Sequence, residues 1–531
     1  MSRPLFFVRI VIIGCCCMAA AQVGYGKERT GSIRVSDEVY VESVSVKGAG
    51  KDRSVLNDGI HSYNLLRMHA HGNTDDLRYR FNLGVQMTDN EKKDPKEVSL
   101  VNLEGNLASE KHELTAGDVF GSFSRYSLGT SLKGVSYGYG GRDADHRVDV
   151  IYGIAYPRWD SFWASETEAL EREIYGLNYG ARITPEMKLD FSWVRSSDSD
   201  PIFDDFELYD VDLYTAALNY KPIAGLTVTS EYSYSDNAAG PDAAPQVEKT
   251  DGAFMLKAVG NQNPSRVSLE YERVGTDYIT RSGSATPDRE KFKANWRYRY
   301  SRKAHAIMGF LWFRDNLDHQ KSGTTHTYRP SLGFSFKQLM DRRYGVLDLT
   351  WKLNNINTDT ADTTDHYFDV MYRDRYGVID NTTTVGYALY ETGDDQRDQE
   401  EVSVNTTFSG RITLDAVILK PSLHAGTTDT DDELSNNDNR LYQTALGLGL
   451  EIPRARITSL LKVGRQDTNR DGGDDLDRNF ATFNVYWRVP DLASFANALF
   501  YIKTLYNDYN YTTQTNNFRE NSVILGLRAT F

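Results

Sequence analysis

The last eleven residues, Asn521 to Phe531 (NSVILGLRATF), set Val523, Leu525, Leu527, Ala529 and Phe531 on one side of an extended chain. Ser522, Gly526, Arg528 and Thr530 fall on the other. A period of two sends alternate side chains to opposite faces of a strand. A sheet that meets lipid outside and water inside needs an apolar outer face and a polar inner one. The segment therefore reads as the closing strand of a transmembrane barrel.

The same alternation runs through most of the chain. Leu77, Tyr79, Phe81, Leu83, Val85 and Met87 alternate with Arg78, Arg80, Asn82, Gly84, Gln86 and Thr88, and 226–234, 292–300, 442–452 and 481–489 repeat the pattern. Only 162–174 suggests a short helix. Short connections (184–186, 221–225, 301–303, 453–456, 490–494) alternate with longer polar ones (196–210, 236–251, 275–289, 354–365, 391–400, 426–439, 464–477, 507–517). Outer-membrane barrels keep short turns on the periplasmic side and longer loops outside, which predicts about 13 outer loops and about 26 strands (range 22–26). The expected fold is an all-β, antiparallel up-and-down barrel without a plug domain. Its first strand falls near 38–47, and its location is the Gram-negative outer membrane, among lipid and lipopolysaccharide.

At the other end, Arg3 and Arg9 precede a short apolar core and Ala19-Ala20-Ala21, the pattern of a cleaved secretory signal. The expected division is 1–21 signal peptide and 22–531 barrel. A lipoprotein box at Ile12-Ile13-Gly14-Cys15 is the competing reading. All three cysteines, Cys15 to Cys17, lie in this segment, so a mature chain from residue 22 has no thiol for disulfides, thiolate metal sites or covalent haem. The 33 tyrosines and seven tryptophans suit the aromatic girdles of a barrel. The formal charge of −14 argues against nucleic acid as a partner. The ten histidines fall largely within the strand pattern, and no enzymatic activity is expected.

Strand parity assigns Arg78, Arg80, Lys291, Lys293, Arg297 and Arg299 to the lumen, where they would select anions or dock an acidic partner. His69 and His71 share one inward face at a spacing that lets two imidazoles meet one metal. In the stretch Asp467 to Arg478, Asp467, Asn469, Asp471 and Asp475 take the first, third, fifth and ninth positions of a calcium loop. Arg478 stands where the bidentate glutamate belongs. Calcium in this outer loop is the only cofactor the residues suggest; a solvated acidic turn is the alternative. Asp359, Asp362, Asp365, Asp394, Asp395, Asp429, Asp431, Asp432 and Glu433 make further loops acidic. The segment 114–139 departs from simple alternation. Its Gly117-Asp118 pair and Gly121, Gly129 and Gly134 mark it as the candidate for an internal constriction, an ordinary hairpin being the other reading.

Terminal Phe531 resembles the signal read by the outer-membrane barrel assembly machinery, which that resemblance makes a partner. A barrel of about 26 strands is wider than the 16–18-stranded porins that already hold an aqueous channel. With its signal segment, strand number, short turns and lack of a plug, the chain resembles the barrel of porin–cytochrome electron conduits. The resemblance implies a sheath around a multihaem cytochrome, with periplasmic and surface cytochromes as partners and haem supplied only by them. The Cys-x-x-Cys of one branch is absent. A general or substrate-specific porin, occluded by its own segment around Gly117 to Gly134, and a lipid or polysaccharide export barrel are the alternatives.

Overall fold

The structure, a computed structural model, describes residues 30–531 apart from 75, 142–143, 157, 160–169, 200–206, 242–246, 360, 394–397, 433–436 and 493–494. The expected signal segment 1–21 lies outside the described residues, as do Asp394, Asp395 and Glu433.

Fourteen strands make up the first part of the wall: β1 (Thr30–Lys47), β2 (Gly59–Asn73), β3 (Arg78–Thr88), β4 (Val98–Ala108), β5 (His112–Ser122), β6 (Gly129–Tyr139), β7 (His146–Ile154), β8 (Glu171–Thr184), β9 (Met187–Ser199), β10 (Glu207–Ile223), β11 (Leu226–Pro241), β12 (Val247–Gln262), β13 (Ser265–Val274) and β14 (Arg289–Arg299). Twelve more follow. Gln399–Gly410 and Ile412–Leu414 both pair with Val417–Asp432 and so count as one stave. Every neighbour is antiparallel. The sheet closes where β1 pairs with the final strand, Phe518–Thr530, from Ser36 opposite Thr530 to Lys47 opposite Arg519. The product is a closed barrel of 26 strands.

Closure follows from the two-sided pattern. Val523 and Leu525 stand on the outer face, 42% and 56% exposed. On the inner face, the Ser522 hydroxyl donates to Glu42 at 2.9 Å and Arg528 donates to Glu38 at 3.0 Å. The Phe531 N–H donates to the Val35 carbonyl at 2.8 Å, tying the chain end to the first strand. A closed barrel leaves no open edge, the condition for crossing lipid without unsatisfied backbone groups.

Connections differ by end. At the end that carries both termini, 185–186, 224–225, 263–264 and 377–378 are two-residue turns. The opposite end carries 48–58, 89–97, 275–288 and 315–325. Several connections expected as long loops are shorter because the strands continue through them. Pairing runs as far as Asp432 opposite Asn437, inside the expected loop 426–439, and Asp467 opposite Asp477 lies inside 464–477. Backbone pairing in water does not require apolar side chains, so polarity there marks departure from lipid and not the end of a strand. The expected helix at 162–174 is corrected where it is described: Glu171 begins β8, and Ile174 points inward within it, fully buried. The first strand starts at Thr30, eight residues before the expected Glu38.

Candidate pore constriction

Halfway up the wall, three glycines stand in one row across three strands, with Gly117 opposite Gly134 and Gly134 opposite Gly153. The pairing of β5 with β4 stops at Glu104–Gly117, and that of β6 with β7 stops at Lys133–Ile154. Beyond this row, among the described residues, 118–122 and 129–132 pair only with each other, as a two-stranded flap that leaves the wall. Gly117 makes the bend at φ +102°, and a Cβ on it would lie 2.1 Å from the Leu103 carbonyl oxygen. A Cβ on Gly134 would lie 2.1 Å from the Tyr152 oxygen.

The flap tip, 123–128, lands on the inner face of β9 to β13. Tyr232 and Tyr234 face outward, 53% and 38% exposed, so Glu231 between its neighbours faces the lumen. Its carboxylate is 4% exposed and accepts the backbone N–H groups of Tyr126 at 2.8 Å and Arg125 at 3.3 Å. The Tyr126 hydroxyl donates to Glu272 at 2.9 Å, and the Arg125 guanidinium reaches Glu272 at 2.8 Å and Glu270 at 3.3 Å. Lys291 on β14 pairs with the same two glutamates. Around these groups, Val119, Leu128, Leu132, Ile151, Ile174, Val194 and Leu213 form an apolar cluster between flap and wall.

A second inward segment, 275–288, lies on the tip. Tyr278, fully buried, donates to the Ser233 hydroxyl at 2.9 Å. Thr280 and Ser282 donate to the carbonyls of Tyr126 and Ser127 at 2.9 and 2.6 Å, and the Gly129 N–H donates to the Ser282 carbonyl at 2.7 Å. Burial, and for Tyr126 the neighbouring Glu272, push both phenols well above the usual tyrosine range, so both remain neutral donors. Burial alone would lower Arg125, but Glu272, Tyr126 and Glu270 hold its guanidinium above its ordinary value. The assembly can narrow a passage and present fixed charge along it. Arg125, Tyr126, Glu231 and Tyr278 were not singled out from sequence. The available signal was Tyr278-Ile279, an apolar pair inside an otherwise polar connection.

Of the residues expected to matter, Gly117, Asp118 and Gly121 lie on β5, and Gly129 and Gly134 on β6. Asp118 and Gly121 are already within the flap, whose tip the expectation left unnamed. Arg80 pairs with Glu104 at 2.6 Å; Arg78 stands opposite Asn73 near the termini end. Lys291 joins the clamp. Lys293, Arg297 and Arg299 stay exposed, with no acidic partner within ion-pair distance among the described residues.

The four calcium-loop residues lie along one β-hairpin and its turn. Asp467 accepts from Arg465 at 2.5 Å within a strand, Asn469 pairs in register with Arg440, the Asp471 N–H donates to the Asp438 carbonyl, and Asp475 accepts the Arg470 N–H at 2.7 Å. His69 and His71 lie with ring centroids 5.3 Å apart, engaged with Asn82 and Ser32. No three acidic, histidine or cysteine side chains gather as a metal site among the described residues. Asp429 pairs with Arg440 at 3.1 Å and Asp365 accepts from Asn354 at 2.8 Å. Gly134-Val135-Ser136-Tyr137-Gly138 has the spacing of a nucleophile elbow, but Ser136 sits in regular strand opposite Thr115 and Ile151, not on a strand-to-helix turn.

Closure, an apolar aromatic outer face and a charged inner face define the class as a transmembrane β-barrel of the outer-membrane type. Solved structures similar to the chain include Pseudomonas aeruginosa OccK11 (OpdR), at 8% identity over 68% of this chain and 96% of that one, with a TM-score of 0.35. P. aeruginosa OccK3 (OpdO) shares 11% identity over 68% of this chain and 96% of its own, also at 0.35. A variant of the Rh. blastica porin shares 12% over 53% of this chain and 94% of its own, at 0.27. No family model matches the sequence, and no curated protein matches it.

Proposed function

We propose that the chain is an outer-membrane diffusion channel whose width is set by its own flap. The observation that carries this reading is the clamp of Glu231 on the backbone of Arg125 and Tyr126. One carboxylate that holds the buried Tyr126 N–H and the part-buried Arg125 N–H fixes the tip against the wall, and a fixed tip narrows the lumen without a separate plug. Removing the carboxylate leaves the buried Tyr126 N–H unsatisfied, at a cost of roughly 1–3 kcal/mol, while the part-buried Arg125 N–H can turn to water.

The exposed cations Lys293, Arg297 and Arg299 follow the β14 wall from beside the clamp toward the termini end. They favour anions, although the chain as a whole is acidic. The end with longer connections faces the exterior, and the termini end faces the periplasm. The sheath reading requires a lumen free for a threaded cytochrome, and the flap and 275–288 stand in that space. Purified protein in planar bilayers should show ion-conducting steps that favour anions and a visible spectrum without haem. A stoichiometric multihaem partner, isolated with a barrel that does not conduct alone, would restore the sheath.

A further inference from the structure

Beyond β14 the wall continues through β15 (Ala304–Arg314), β16 (His326–Lys337), β17 (Val346–Asn357) and β18 (Asp362–Tyr376). Trp296, Phe310, Tyr328 and Phe368 stand exposed on the outer face of these staves, so alternation turns Lys293, Leu311, Arg329 and Tyr367 to the lumen. Lys293 lies opposite Leu311, and Leu311 opposite Arg329. Two residues nearer the termini end, the row Asn295, Gly309, Ser331, Lys352 and Tyr367 runs from β14 to β18. A recess of about 460 Å³ opens on the lumen at these rows, bordered by Lys293, Asn295, Leu311, Arg329, Lys352 and Tyr367. Lys291, two residues above Lys293 on the same face, closes the flap clamp, so the recess lies beside the constriction.

Two backbone features shape the recess. Gly309 adds no side chain to its floor, and a Cβ there would lie 2.4 Å from the Ser331 hydroxyl. Pro330 has no N–H to give the Leu353 carbonyl, so the pairing of β16 with β17 lapses at Arg329 and Pro330 and resumes at Ser331 opposite Lys352. A proline inside a stave paired on both sides gives up ladder stability. The charge is equally local. Lys293, Arg329 and Lys352 are exposed to the lumen, and none has an acid within ion-pair distance among the described residues. The Arg329 Nε–H donates to the Asn354 side-chain oxygen at 2.6 Å, and the Asn354 amide donates in turn to Asp365 at 2.8 Å. A neutral partner thus orients the guanidinium without cancelling its charge.

From this juxtaposition we infer that the recess is a selective binding site for phosphate monoesters of small sugars and polyols. The inference rests on the diffusion-channel reading and names the permeant such a channel favours. Three cations without acids leave a monoanion too little charge to balance them, whereas a phosphate monoester carries about −1.5 to −2 at pH 7. A guanidinium grips two phosphate oxygens at once, and lysines add point charges around the third. The Asn295 amide and the Ser331 hydroxyl offer partners to sugar hydroxyls, while Leu311 and the Tyr367 ring meet a sugar's C–H face.

The test is titration calorimetry of the purified full-length barrel at fixed ionic strength, with planar-bilayer current recorded in parallel. Glucose 6-phosphate should bind saturably, glucose should not bind, and gluconate and inorganic phosphate should bind several-fold more weakly. Arg329→Gln and Lys352→Gln should each weaken glucose 6-phosphate roughly tenfold or more, as for loss of one charge-assisted contact. Gly309→Val fills the floor while keeping every cation, and should weaken it as much; should that variant not assemble, the two glutamine variants decide. Lys462→Gln removes an inward cation elsewhere on the wall, on the strand Ile457–Arg470, and should leave binding at the parental level. Equal weakening by Lys462→Gln would reveal diffuse lumen charge and overturn the site. Gluconate or inorganic phosphate binding as tightly as the ester overturns it too. A parent that conducts without saturable binding overturns the site and leaves the channel standing; one that binds without conducting keeps the site and removes the channel.

Discussion

At the scale of single residues, the account rests on one carboxylate and one row of cations. Glu231 is legible only as an inward position in the alternating run Leu226 to Tyr234; nothing local shows that its partners lie more than 100 positions earlier. Glu231→Ala should release the tip, enlarge the single-channel conductance and lower stability by roughly 1–3 kcal/mol, since the buried Tyr126 N–H loses a charged acceptor. Denaturant titration beside bilayer recording checks both effects. Glu231→Gln keeps a single acceptor oxygen and should fall between. Parity did place Lys293, Arg297 and Arg299, because a regular strand fixes which face each side chain takes. Replacing all three by glutamate should reverse the pore's preference toward cations, read as a change of sign in reversal potential across a salt gradient.

At the scale of elements, the β5–β6 hairpin shows where alternation stops being informative. Its glycines announce a departure, but the direction of the bend depends on φ at Gly117 and on the wall opposite, which no local pattern contains. Gly117→Ala combines a left-handed backbone with a Cβ 2.1 Å from the Leu103 oxygen. It should cost about 1–3 kcal/mol or misdirect the flap, seen as a lower temperature for loss of the compact barrel band on gels. The connection 89–97 is fastened through Asp94 to Arg158. Burial alone would raise that carboxyl, yet the Lys96 N–H, Arg158 and Ser99 hold it below its ordinary 3.8. A depressed acid contributes stability that is complete above the unfolded value and is lost as pH falls through the folded one. Protection of the 89–97 amides, taken relative to their intrinsic exchange at each pH, should thus be flat above pH 3.8 and fall only in stronger acid.

At the scale of the molecule, the barrel was legible because lipid imposes the same two-sided rule on every stave, and that rule repeats along most of the chain. Strand number, antiparallel order and closure at Phe531 follow from it. The contents of the lumen do not, since inward residues need only be compatible with water, and compatibility leaves the path of 123–128 and 275–288 open. That freedom is why the sequence favours a hollow sheath while the structure places two chain segments inside the wall. The most direct test is single-channel conductance of the full-length barrel beside Glu231→Ala under identical salt. The account predicts a conducting parent, free of haem, and a variant with clearly larger steps. Equal steps in the two proteins, or no conductance in either, would contradict it.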